Sequence, residues 1–563
     1  MNKLHERSSD DASESYYNLG SYHRRVSTAN HQAQLWFDRG LIWTYGFNHE
    51  EAVHCFQKSI AIDPKCAMSY WGLAYALGPN YNKPWEVFDQ QELASTVRRT
   101  RRAAEDAKAN ATTASPVEAA LIDALQYRYP HDRPAGDCSS WNQGYADAME
   151  GVYRQHPDDL DVAVLYADAL MNLTPWALWD IKTGQPAPNA RTLDIKRVLD
   201  RALAQKGGLC HPGLLHLYIH LMEMSGSPET ALTAADHLRG LVPDAGHLNH
   251  MPTHLDILCG DYRRAVASNS EAIRADEKFL ARAGPVNFYT LYRSHDYHFR
   301  IYAAMFAGQS RVALDTAAEL EASIPEELLR IESPPMADWL EGFVAVKVHV
   351  LIRFGRWEDI LALELPEDRT LYCVTTAMIH YAKGVAYAAL GQVDAADKER
   401  AIFHKSVDRV PPSRVLFNNN CRDILDIADA MLDGEIEYRR GNIDAAFEHL
   451  QRSIALDDGL PYDEPWGWMQ PSRHAYGALL LEQGQVEKAA AVYSADLGMD
   501  DTLPRALQHP NNVWSLHGYH ECLTRLGRWA EARIIQQQLK LAAATADVPI
   551  RSSCFCRQEE CCT

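Results

Sequence analysis

A turn of the form Gly-x-x-x-x-small recurs along the chain, and no other feature of the sequence restricts its fold as tightly. It stands at Gly226…Ala231, Gly260…Ala265, Gly308…Ala313, Gly391…Ala396, Gly441…Ala446, Gly484…Ala489 and Gly527…Ala532, with a looser copy at Gly355…Ile360. Each glycine follows one apolar helical stretch and precedes another, as a helix end that needs a left-handed residue requires. The small residue five positions on lets the second helix approach the first closely. Self-similarity of this kind marks a repeat array, and 563 residues are too many for one compact core. The spacing predicts an all-α chain of stacked helix pairs.

The first two glycines are 34 residues apart, and Ala52, Phe56 and Pro64 follow a small, aromatic and proline spacing, with Trp71-Gly72-Leu73-Ala74-Tyr75 opening the next unit. On these residues the chain resembles the tetratricopeptide repeat (TPR) family over most of residues 30–543. The resemblance implies a TPR-like superhelix, a solenoid whose first helices line a concave groove. Later spacings stretch, to 48 between Gly260 and Gly308, so loops are inserted; Pro130–Gly136 and Gly184–Asn189 read as two of them. The expected division is a polar, Ser-rich mobile tail over 1–28, the array over 29–543, and a Cys-rich tail over 544–563.

Using each turn glycine as a ruler exposes a second regularity. Ten residues before it lie His216, His250, His298, Ala345, Tyr381, Met431, His474 and His517, five histidines in eight positions from a chain holding 24 in all. Six residues before it lie His220, His254, Tyr302, His349, Val385, Glu435, Ala478 and Glu521; thirteen before, His247 and His295 appear. Offsets of three, four and seven share one helix face, and in the TPR family these offsets face the groove. Packed helices stand about 8–10 Å apart, close enough for side chains of adjacent units to meet at one ion. His216, His220, His250 and His254 therefore have metal-ligand spacing twice over.

In His247-Leu248-Asn249-His250-Met251-Pro252-Thr253-His254, Pro252 suits the first turn of a helix, placing His254 just inside it and His250 at its mouth. The expected metal set is His211, His216, His220, His247, His250, His254, His295 and His298, with Glu223 or Tyr302 as a proton-transfer or supporting group. Against it stand two plainer readings: groove histidines that hydrogen-bond a peptide or acidic ligand, and structural histidines, of which His211 could be a helix cap. A second group, Arg473, His474, Trp514, His517, His520 and Glu521 with Trp466 and Trp468 upstream, reads equally as an aromatic-lined cap or as part of the site.

Cys554 and Cys556 in Ser553-Cys554-Phe555-Cys556-Arg557, with Cys561 and Cys562 beyond, form a soft-ligand tail that could fold back to the histidines, carry a metal, form a regulatory disulfide, or do nothing. Histidines, Met251 and these thiols together favour copper, with zinc or iron as alternatives. The remaining cysteines read as core residues of a reducing compartment.

Composition removes several functions. A net charge of -20 opposes nucleic acid or an anionic membrane as the main partner. No apolar run reaches the roughly 20 residues of a spanning helix, and no signal peptide is recognised at the start; a cytoplasmic protein is expected. There is no P-loop, dinucleotide fingerprint, nucleophile elbow or His-Glu-x-x-His. The chain also resembles uncharacterised bacterial and fungal TPR-only proteins through Tyr45-Gly46-Phe47-Asn48-His49, His211-Pro212-Gly213, His250-Met251-Pro252 and the Ser553–Arg557 ending, which implies a shared site without a reaction. The expectation is a metal-dependent enzyme, an oxidoreductase acting on a small molecule in the groove. The alternatives are a scaffold that binds a partner peptide and a metal carrier.

Overall fold

Seven of the eight turn glycines take the left-handed conformation, with φ between 61° and 91°, and in each case the next helix opens two residues later. The fifth residue after each is buried: Ala265, Ala313, Ile360, Ala396, Ala446, Ala489 and Ala532 are all 4% exposed or less. Gly226 is the exception. Its φ is not positive, and its role is close approach, since the backbone of Gly184 lies against it. There the turn runs into a 3-10 segment, Pro228–Ala231, before the helix Leu232–Leu238.

The computed structural model describes residues 16–558. It is an all-α helical-repeat array in which each helix packs chiefly on its neighbours in sequence; among the described residues, strand is confined to two antiparallel pairs, Trp179–Asp180 with Gln185–Pro186 and Val415–Leu416 with Asn419–Asn420. The inserted loop at 184–189 thus begins as the return strand of a short hairpin. The helices used below are α1 (His31–Tyr45), α2 (His49–Ile62), α3 (Pro212–Met222), α4 (Gly246–His250), α5 (Pro252–Leu258), α6 (Tyr262–Ala283), α7 (Thr290–Phe306), α8 (Val346–Arg353), α9 (Ser472–Glu482), α10 (Val486–Asp496), α11 (Val513–Arg525) and α12 (Trp529–Ala542).

The array winds back on itself. Arg505 donates to the Leu258 carbonyl at 2.7 Å, and Trp514 Nε1 donates to the Met305 carbonyl at 2.8 Å. The backbone of Pro510 comes so close to Gly260 that a Cβ there would collide with its carbonyl. Two irregular stretches, the 415–420 hairpin and residues 460–470, fold inward, and the C-terminal half thereby reaches the histidines of the middle repeats. No helix among the described residues is long and apolar enough to cross a membrane.

Both tails contact the array where they are described. Residues 16–28 are held to the array rather than mobile: Tyr22 donates to Asp161 at 2.6 Å, and Arg24 pairs with Asp159 and Asp161 at 2.8 and 2.5 Å. Four tail–array aromatic contacts, of Tyr16 and Tyr17 with Trp36, Trp43 and Phe279 and of Tyr22 with Tyr45, add to this. Residues 1–15 lie outside the described residues. At the other end, Asp547 accepts from the backbone N–H groups of Ser310 and Arg311 at 2.6 and 2.9 Å, where a helix N-terminus favours a carboxylate.

Candidate metal centre

Six of the predicted histidines converge. The rings of His216, His220 and His247 form one triad, with centroids 4.8 Å apart for His216–His220 and 5.0 Å for His216–His247. His250, His254 and His295 form a second, at 4.7 Å for His250–His254, 4.4 Å for His250–His295 and 5.6 Å for His254–His295. Within each triad one donor atom per residue lies within 4.8 Å of the others. Two further groupings, His220–Glu223–His254 and His247–His250–Asp296, satisfy the same limit. The triads touch through His220–His254 and His247–His250, each at 5.7 Å.

The local sequence explains the placement. Pro252 sits at the first position of α5 and breaks the run into α4 and α5, so His250 ends one helix and His254 lies in the first turn of the next. His216 and His220, four apart on α3, present one face. His295 comes from α7.

Hydrogen bonding orients these rings. His216 donates from Nδ1 to the Tyr45 carbonyl at 2.6 Å, one of the carbonyls that the end of α1 leaves free. His220 Nδ1 is 2.9 Å from Glu223 Oε1, and His254 Nδ1 is 2.6 Å from Glu223 Oε2 and also contacts Glu464. His250 donates from Nδ1 to Asn269 Oδ1 at 2.7 Å. Committing Nδ1–H outward leaves the Nε2 lone pair facing in, which is how metal-binding imidazoles are oriented. Inside, Nε2 of His216 and His220, both nitrogens of His247 and Nδ1 of His295 have no hydrogen-bond partner. The Nε2 atoms of His250 and His254 stand 2.7 Å apart. Two such lone pairs repel unless a proton or a cation lies between them.

A proton is disfavoured. Burial, followed by the neighbouring histidines, pushes His247, His254 and His295 well below the usual imidazole range. Burial carries His220 and His250 down to about 3, and burial with His220 lowers His216 strongly. Six neutral imidazoles gathered in this way could hold a metal ion.

The wall is aromatic and strained. Four non-glycine residues among those described have positive φ, and three of them touch these histidines: Phe47 (φ 55°), Trp176 (φ 58°) and Phe417 (φ 48°). Phe47 lies 4.4 Å from His216 and stacks on His220 and His247 at 5.9 and 5.6 Å. Trp176 meets His220 edge-on at 5.8 Å, and Phe417 meets His295 at 4.8 Å. A left-handed non-glycine residue costs about 1–3 kcal/mol, and such strain gathers at functional sites. The second triad borders a cavity of about 500 Å3 lined by His254, His295, Glu464, Phe417, Trp176 and Trp339 among others; the first triad does not reach it.

Other predicted residues go elsewhere. His211 caps α3, accepting from the Leu214 N–H at 3.3 Å, and its Nε2 faces Tyr22 and Asp161. His298 is buried against Phe343 at 5.3 Å and lies near His349, outside every metal-capable group among the described residues. Tyr302 lines a separate small cavity with Tyr462 and Glu464. Cys554 and Cys556 are joined to each other as a disulfide, and their segment packs on α8, α9 and α11 through Ser553–His474, Arg353–Ser553 and Arg557–Glu521. They do not meet the histidine triads, and Cys561 and Cys562 lie outside the described residues. Met251 is packed in the apolar core. Glu464, Asp296 and the three strained aromatics were not expected from sequence; only Phe47, inside the Tyr45–His49 stretch, carried any signal.

Fold and site together define an all-helical repeat protein with a buried polyhistidine centre. No protein-family model matches the chain, and no curated protein matches it. Among solved structures it is similar to a human IFIT1 dimer with PPP-AAAA (15% identity, covering 75% of this chain and 73% of that one, TM-score 0.28). It is also similar to Naa15/Naa10 bound to HypK-THB (15%, 90% and 70%, 0.22) and to the APC/C hetero-tetramer Cut9-Hcn1 (12%, 91% and 87%, 0.28).

Proposed function

We propose that this chain is a metal-dependent enzyme whose ion is held by His250, His254 and His295 and whose small-molecule substrate occupies the adjoining cavity. The observation that carries the reading is the pair of Nε2 atoms 2.7 Å apart in a fully buried site. A cation there would relieve their repulsion and also engage His295, whose Nδ1 has no partner. Three neutral histidines leave coordination open toward the cavity, and a bound ion supplies Lewis-acid or redox chemistry.

The chain's own residues divide the remaining work. Glu223 sits behind the ligands, 0% exposed and bonded to His220 and His254, so it orients them. Glu464 reaches both His254 and the cavity and is the carboxylate placed to move a substrate proton. The cavity lining is mixed, with Trp176, Phe288, Trp339 and Phe417 beside the carboxylates of Glu86, Asp89, Asp338 and Asp463. Copper loses two of its supports, since Met251 and the thiols stand apart; an all-histidine set suits copper, zinc or iron alike.

The test is elemental analysis of the purified, desalted full chain beside a His250→Ala/His254→Ala variant. Metal in the wild type and its loss in the variant is the expected result; a metal-free wild type that also fails to take up Zn2+ or Cu2+ overturns the reading.

A partner-binding scaffold is the second reading. It is favoured by the terminal helix α12, which leaves Ile534 and Leu541, seven residues apart on one face, 63% and 79% exposed. Capture of a defined partner by metal-free protein, lost on Ile534→Asp, would support it.

A further inference from the structure

The triad that does not reach the cavity has a role of its own. His216, His220 and His247 are each 1% exposed or less. His216 Nδ1 is tied to the Tyr45 carbonyl and His220 Nδ1 to Glu223, and the inward Nε2 atoms of both have no partner. Neither nitrogen of His247 has one. Leaving a buried polar atom unpaired costs stability, and here that cost falls on four nitrogens of one triad. Phe47, held at φ 55°, closes over all three rings, and Tyr81 and Trp176 seal the His220 side at 5.2 and 5.8 Å.

We infer that His216, His220 and His247 bind a second transition-metal ion, making the centre dinuclear: one enclosed ion in this triad beside the cavity-facing ion at His250, His254 and His295. The inference rests on the reading above and extends it to residues that do not touch the cavity. Donor atoms within 4.8 Å of one another close around an ion at about 2.1 Å through small ring rotations. Glu223 couples the two positions. One carboxylate oxygen holds Nδ1 of His220 in the first triad, and the other holds Nδ1 of His254 in the second, so a single side chain orients a ligand of each ion. The enclosed ion would not touch substrate; it would act on the cavity-facing ion through the shared Glu223 carboxylate.

Counting metal separates the two claims. Metal-free full-length chain is titrated with Zn2+ and, separately, Cu2+, desalted, and its metal measured per chain. About two equivalents are expected, the count of a two-metal centre. His216→Ala and His247→Ala are each expected to keep about one equivalent, His295→Ala likewise, and the His216→Ala/His295→Ala pair none. One equivalent in the wild type that is unaffected by His216→Ala and His247→Ala overturns the second site while leaving the cavity-facing ion in place. No uptake at all overturns both. Because a cavity left at His216 could unfold the chain, His247→Asn is run beside it with circular dichroism, and a folded variant that still takes two equivalents counts against the inference.

Discussion

The middle repeats and the C-terminal repeats place histidine at the same offset from their turn glycines, yet the two regions use it in opposite ways. In α9, His474 is satisfied on both sides: Nε2 lies 3.0 Å from Asp496 and Nδ1 2.9 Å from Arg353. Asp496, on α10, also takes His509, Asn512 and Ser515. Burial drives its carboxyl up, and the His474 and His509 contacts more than offset this and hold it well below the usual range. That is a closed structural network. In α3, His216 and His220 are satisfied on the outer nitrogen only, and His247 on α4 is satisfied on neither. A position relative to a turn therefore sets which way a histidine points, and the second partner decides whether it is a strut or a ligand.

The sharpest way to break this contrast is to remove one histidine from each region. His254→Ala should abolish metal at the cavity-facing triad, whereas His474→Ala should leave metal content unchanged and lower stability by about 2 kcal/mol, because it removes one charged hydrogen bond from Asp496 while His509, Asn512 and Ser515 remain; metal analysis and urea unfolding read the two effects. Equal metal loss in both variants would erase the distinction. Glu223→Gln should keep the fold and weaken metal binding by about 10–100-fold, the usual effect of losing a carboxylate behind a histidine ligand, measured by competition with a chelator.

Acid offers a third, smaller test. His220 and His250 are pushed down to about 3 in the folded state against about 6.5 when unfolded. Between these values the unfolded chain binds more protons, so stability falls as pH drops through 6.5 and is fully present above it. The urea midpoint of metal-free protein should decline from pH 7 to pH 5, and a His220→Gln/His250→Gln variant should flatten that decline. Smallest of all, Cys554→Ser/Cys556→Ser should leave metal content unaltered, since those residues pack on α8, α9 and α11; loss of metal would show that the tail reaches the histidines after all.

Much of the site was legible before the structure because the ruler worked: His216, His220, His250 and His254 follow from helical periodicity alone, and His247 and His295 from one offset more. The ruler failed at His298, which shares its offset with His216 and His250 but faces Phe343 and the His349 side. His295, three residues earlier on the same helix, turns to His250 and His254 instead. His211, for which the sequence offers both a ligand and a helix-cap role, caps α3.

The turn glycines, the buried alanines that follow them and the helix-face spacing are local properties, carried by backbone sterics and the 3.6-residue period, and the sequence by itself determined them. It determined the all-α array and the histidine-rich inner face. Closure of that array is different. Glu464 reaches His254 from 210 positions away, Phe417 covers His295, and the Tyr45 carbonyl at the end of α1 aligns His216. None of these contacts leaves a periodic trace, because they depend on how far the superhelix winds, which accumulates from small angles at every packed pair. Only the tertiary structure decided which nitrogens were left unpaired, and those nitrogens define the site.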